Sequence, residues 1–76
     1  MLKPVPEPRQ ESRQGSYPRM AALAAMQEQK GAWSEAAALW EHCAEIARLP
    51  QNLGWARCRA DFCRRKYDLL TGRISV

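Results

Sequence analysis

The chain is poor in the residues from which chemistry is usually built. It has one histidine, His42, and three cysteines, Cys43, Cys58 and Cys63. An odd number of thiols cannot all pair, so reduced cysteines in a cytoplasmic protein are the simpler reading. Cys58 and Cys63 stand five apart, and there is no close Cys–Cys pair of the kind a closed zinc site uses. His42 and Cys43 are neighbours, so on a helix they diverge by about 100° and do not share a site. The thiols are expected as small apolar core residues rather than ligands, with no metal and no other cofactor. There is no glycine-rich phosphate loop and no carboxylate pair in a plausible cleft, and a substrate pocket would consume most of so small a core, so an enzyme is not expected. Long apolar runs are absent as well. The least polar stretch, Met20–Met26, is far shorter than the roughly 20 residues of a membrane span. The first residues go straight into prolines and charges without the apolar run of a secretory leader.

A length of 76 residues allows one domain. At this size a fold buries only about 60% of the surface its unfolded chain exposes, so some apolar surface stays uncovered. The net charge of +4 is uneven. Residues 54–76 hold six positive and two negative charges, whereas residues 17–53 hold three positive and four negative. A basic C-terminal segment of this kind attracts nucleic acid or an acidic protein surface.

Residues 1–15, MLKPVPEPRQESRQG, have no apolar periodicity and three spaced prolines, which predicts a disordered arm. From 16 to 72 the pattern is helical throughout. Ser16 is placed to cap a first helix over about Tyr17 to Lys30, with Pro18 in its first turn and Gly31 as its stop. Its alanine-rich centre carries no charge between Arg19 and Glu28, and Leu23 and Met26 form an apolar strip beside the one expected to face the core. Around the second helix the chain is organised: Ala36, Leu39, Trp40, Cys43, Ile46 and Ala47 fall on one stripe, and Glu35, Glu41, Glu45 and Arg48 face outward. Ser34 is its predicted N-cap, with Trp33 stapled against Ala38, and Pro50 bars it from passing Leu49. A third helix, capped by Asn52, is expected from about Leu53 to Leu70, burying Trp55, Cys58, Phe62, Cys63 and Leu69 and ending at Gly72. Residues 73–76 are expected to fray. The fold class is therefore all-α: a three-helix domain, a hairpin plus a third helix, with Trp33, Trp40, Trp55 and Phe62 building its core.

Two helices joined at a glycine also suggest a helix-turn-helix. The second helix, however, carries Glu35, Glu41 and Glu45, which repel phosphate. The third helix is the better candidate, with Arg57, Arg59, Arg64, Arg65 and Lys66, yet it has no internal Asn or Gln to read adenine, and Asp61 and Asp68 interrupt its basic face. Direct recognition of DNA by that helix is an alternative reading, and weak or indirect DNA contact the expected one. Gly31, Ala36, Trp40 and Cys43 also sit at spacings like those of a tetratricopeptide hairpin. One such unit cannot bury both faces, which makes an interaction module or a small assembly subunit the physical expectation.

The larger residues carry a more specific likeness. Gly31-x-Trp33, Ala36-Ala37, Leu39-Trp40, Ala44 and Ala47, followed by Asn52-x-x-Trp55, Arg59 and Phe62-Cys63, with Glu28 ahead of Gly31, resemble the ANR family of small bacterial AraC negative regulators. The likeness covers roughly residues 17–66 and leaves the proline-rich arm outside. It implies a negative regulator that binds an AraC-type transcription activator by protein–protein contact, blocks its dimerisation or activity and lowers virulence-gene expression. It further implies an association with nucleoid proteins. No family contact residue carries over. From the uncharged first helix and the basic third helix, Leu23 and Met26 are expected as an apolar contact patch and Arg64 and Arg65 as its polar rim. A homo-oligomer formed through the same patch is the alternative to a foreign partner.

Overall fold

The computed structural model describes residues 16–72 and is all-helical over them: α1 (Ser16–Lys30), α2 (Trp33–Ile46) and α3 (Pro50–Thr71). The expected arm over residues 1–15 and the expected frayed end at 73–76 lie outside the described residues. α1 and α3 each pack along α2, which is the middle element, while α1 and α3 meet mostly through side chains.

Gly31 ends α1 with φ at 79°, a left-handed conformation that a residue without Cβ adopts freely. The Gly31 N–H donates to the Glu28 carbonyl and the Ala32 N–H to the Gln27 carbonyl, the paired bonds of a Schellman stop. Only Gly31 and Ala32 separate the first two helices, so they form the expected antiparallel hairpin. Gly72 closes α3 in the same left-handed conformation, with φ at 73° and its own N–H on the carbonyls of Asp68 and Leu69.

Four helix starts and stops differ from expectation: α1 already includes Ser16, its expected N-cap. α2 begins at Trp33 with Ala32 as N-cap, so Ser34 lies within the helix and caps nothing, and Trp33 is its first residue rather than a staple outside it. The tight stop at Gly31 leaves no room for a longer lead-in. α2 also ends earlier, at Ile46, where Ala47 turns extended. α3 starts at Pro50, whose missing N–H is harmless in a first turn, with Leu49 as N-cap in the extended conformation that a residue before proline prefers. The Leu49 carbonyl accepts from the N–H groups of Asn52 and Leu53 at 3.0 Å each. Asn52 is thus no cap: it sits inside α3 and is fully buried, its carbonyl accepting the Tyr17 hydroxyl at 3.2 Å.

The core is made of small residues around two large ones. Ala21 and Ala24 of α1, Ala36, Ala37 and Cys43 of α2, and Ala56, Ala60 and Cys63 of α3 are buried around Trp40 and Tyr17. Trp40 is buried as expected. Trp33 and Trp55 are partly buried and pack against this core from its edge. Phe62 is not a core residue: it is 39% exposed and stands edge-on to Trp33, ring centroids 5.9 Å apart. Of the expected α3 stripe only Cys63 is fully buried. Cys58 and Leu69 are exposed, because α3 turns its alanines rather than its large residues toward α2 and so comes close to it.

Replacing Trp40 with alanine should destabilise the domain by about 3–5 kcal/mol, as truncation of a buried aromatic does. A denaturant melt followed by circular dichroism measures it, and little change would remove Trp40 from the centre of the core.

Candidate functional site

One acidic side chain from α1 gathers groups from both other helices. Glu28 lies in the last turn of α1, and its side chain is only 14% exposed. The Trp40 indole N–H of α2 donates to its Oε2 at 2.6 Å. From α3, Arg59 donates through Nε to Oε2 at 3.3 Å and through Nη2 to Oε1 in a short forked pair. The Cys63 thiol completes the set, donating to Oε2 at 3.4 Å. Arg59 and Cys63 are four apart on α3, hence on one face, and both point at α1. An ionised carboxylate only accepts hydrogen bonds, and here both oxygens are engaged by donors. Glu28 is therefore a fastener of three helices.

The thiol records this environment. Burial first, then the charge of Glu28 and the hydrogen bond to it, push the Cys63 thiol from its ordinary 9.0 up to about 12, against a smaller downward pull from Arg59. All three disfavour the thiolate.

Arg59 also links the fastener to the surface. Its guanidinium carbon lies 4.4 Å from the centre of the Phe62 ring and 5.9 Å from that of Trp55. The Lys66 ammonium stands 5.4 Å from the centre of the Trp33 ring, which Phe62 meets edge-on. Glu28, Arg59, Phe62, Trp33 and Lys66 therefore form one continuous wall running from the interior to solvent. The Trp40 N–H ends on a carboxylate, whereas the buried N–H of Trp55 meets no acceptor among the described residues.

On α2 and α3 a second feature is an open groove of about 450 Å³, floored by Ala44 and Ala60 and walled by Glu41, Glu45, Arg57, Asp61 and Arg64. Arg64 spans it to pair with Glu41. Arg65 pairs along its own helix with Asp61 at 2.9 Å. Of the residues expected to meet a partner, Leu23 and Met26 stand on α1, 39% and 45% exposed. Arg64 does not rim them, since its groove is lined from α2 and α3 alone. The expected site is thus divided between two places.

The residues that sequence reasoning passed over are Glu28 and Arg59 as a pair. A signal existed: a glutamate in the last turn of a helix opposes the helix dipole and is favoured only where a cation meets it. Among the described residues no group of three or more His, Cys, Asp or Glu side chains could hold a metal ion, and no helix is long and apolar enough to cross a membrane. No protein-family model, curated protein or solved structure matches the chain.

Removing Glu28 leaves a mostly buried guanidinium and an indole N–H without their acceptor. Glu28→Ala should destabilise by about 3 kcal/mol or more, with the loss in Glu28→Ala/Arg59→Met well below the sum of the single losses. Chemical melts of the three variants decide it, and simple additivity would mean the two do not act as a unit. The thiol makes a further prediction. A folded-state value above the unfolded one means that stability is fully present below pH 9 and falls as pH rises toward about 12. Melts of wild type and Cys63→Ala across that range should show a steeper alkaline loss in wild type, and parallel curves would refute the assignment.

Proposed function

We propose that this chain is a negative transcriptional regulator that binds an AraC-type activator by protein–protein contact and blocks its dimerisation or activity. The observation that carries the reading is apolar surface left in water. Leu23 and Met26 on α1, with Phe62, Leu69 and Leu70 on α3, are exposed although the domain has few large apolar residues to spend on its core. Exposed apolar side chains in such number on a small domain fit a partner-binding role. The likeness to the ANR family supplies the class of partner. Six residues of the likeness, Glu28, Trp33, Trp40, Arg59, Phe62 and Cys63, also touch within one cluster at the fastener.

The charge pattern favours protein over DNA as the partner. Arg59, Arg64 and Arg65 are each tied to a carboxylate, on Glu28, Glu41 and Asp61. Phosphate binding draws on uncompensated cations, which among the described residues leaves Arg57 and Lys66 of the five on α3, so attachment to DNA is expected to be weak and salt-sensitive. Leu23 and Met26 provide the apolar contact and Arg64 and Arg65 a separate polar one.

Purified protein presented to an AraC-type activator and, separately, to a promoter fragment tests the proposal. Capture of the activator should fall about tenfold or more in Leu23→Ser/Met26→Ser and in Arg64→Glu/Arg65→Glu, with helix content unchanged, because exposed ion pairs contribute only about 0–1 kcal/mol to the fold. Sequence-selective retention of the promoter that survives competitor DNA, without capture of the activator, would replace the proposal with a direct repressor.

A further inference from the structure

The outer side of α3 carries an apolar ridge of its own, set apart from Leu23 and Met26 on α1. Trp55, Phe62 and Leu69 are spaced seven apart, so they fall within about 40° of one another around the helix and span about 21 Å along it. Trp55 is half-buried at the domain edge, Phe62 is 39% exposed and Leu69 55% exposed, so the ridge emerges from the fold toward the C-terminal end of α3. Basic residues stand on both sides of it. Arg59 and Lys66 follow one side and Arg65 the other. Arg59 shares its charge with Glu28 and Arg65 with Asp61, while Lys66 rests on the Trp33 ring and meets no carboxylate among the described residues.

We propose that this ridge docks an amphipathic helix whose apolar positions are bordered by Asp and Glu. The apolar repeat of seven is the spacing one helix offers another, and its length matches about four turns. The sign of the border weighs against the simplest rival, a second copy of the same ridge. Pairing two α3 helices antiparallel about Phe62 brings Lys66 of each copy beside Arg59 of the other, and parallel pairing brings Arg65 of each copy beside Lys66 of the other. Either arrangement brings like charges together as water is expelled, whereas an acidic border gives Lys66 the carboxylate it lacks and adds a second one to Arg65. The proposal does not rest on the activator reading, because its partner is defined by chemistry alone and Leu23 and Met26 take no part in it.

The test uses the full chain, immobilised, and a display library of helical peptides of about 16 residues with fixed leucines along one stripe. The positions beside the stripe vary among Glu, Gln and Lys. Enriched peptides should carry Glu at those positions. Their capture should fall about tenfold on Leu69→Ser and on Lys66→Glu, and the Lys-bordered version of the same peptide should gain on Lys66→Glu. Both side chains are far enough from the core for circular dichroism to confirm that the variants stay folded. Several outcomes overturn the idea: no enrichment over a library lacking the leucines, enrichment of Lys borders, or capture indifferent to Leu69→Ser. So does light scattering that shows a dimer of the chain which Leu69→Ser or Phe62→Ser dissolves, since the ridge would then belong to a second copy. Loss of activator capture in Leu23→Ser/Met26→Ser, with peptide capture intact, separates this face from the one on α1.

Discussion

A carboxylate withdrawn from water near the C-terminal end of a helix is doubly disfavoured, by lost hydration and by the negative end of the helix dipole. Glu28 is held in that position, and what compensates it comes from elsewhere in the chain: an indole N–H from α2, a guanidinium and a thiol from α3. All three donors reach it only when α2 and α3 stand at one rotation and one height relative to α1. A buried ion pair adds little net stability over a well-packed apolar substitute, so energy is not the main contribution here. The contribution is register. α1 and α3 share few close backbone approaches, and the polar links Glu28–Arg59, Glu28–Cys63 and Tyr17–Asn52 are what tie one to the other.

Register needs such fixing because the interior has few shapes that would set it. Alanines and cysteines allow α2 and α3 to approach closely, but alanine surfaces interlock weakly and tolerate sliding. Trp40 and Tyr17 are the large side chains buried among them, and each also makes a directional hydrogen bond, to the Glu28 carboxylate and to the Asn52 carbonyl. Shape and hydrogen bonding therefore act through the same two side chains. With the volume near the middle helix taken by small residues and one indole, the remaining large apolar groups fall at the edge, as Trp33 and Trp55 do, or in water, as Phe62 and Leu69 do.

Composition and periodicity made the helices legible, and with them the hairpin, the stops at Gly31 and Gly72, and the burial of Trp40. They did so because a glycine in the left-handed region and an apolar stripe are local properties that tertiary packing seldom overrides. Rotation of α3 was not legible in the same way. Its apolar pattern permits two faces about 100° apart, one of alanines with Asn52 and Cys63, the other of Trp55, Phe62 and Leu69, and hydrophobicity alone favours the larger residues. What selects the alanine face is the meeting of Arg59 and Cys63 with Glu28, a contact across 31 and 35 residues that no local rule contains. Asn52 misled for a related reason. It has the chemistry of an N-cap, but Pro50 and Leu49 start the helix earlier and carry it inward, opposite Tyr17. The contact patch suffered from the same ignorance of rotation: Leu23 and Met26 were recognisable as an apolar strip, but no spacing could say that Arg64 would reach across a groove to Glu41 instead of toward α1.

These points join the interior to the surface. Turning α3 by about 100° would bury Phe62 and Leu69 and gain apolar burial on the order of 1.5–3 kcal/mol for each side chain fully covered. The same turn would carry Arg59 and Cys63 away from Glu28 and leave the carboxylate, still held by the Trp40 indole N–H, without its cation in a largely dry site, a loss of several kcal/mol. The fastener wins, and the exposed ridge on α3 is its direct consequence rather than a separate decoration of the surface. Anything that covers the ridge in the fastened arrangement, and cannot do so once α3 turns or the chain unfolds, must by linkage stabilise the domain. Binding on the outside of α3 and order around Glu28 are then two readings of one equilibrium, coupled through Arg59, which pairs with the carboxylate on one side and lies over the Phe62 ring on the other.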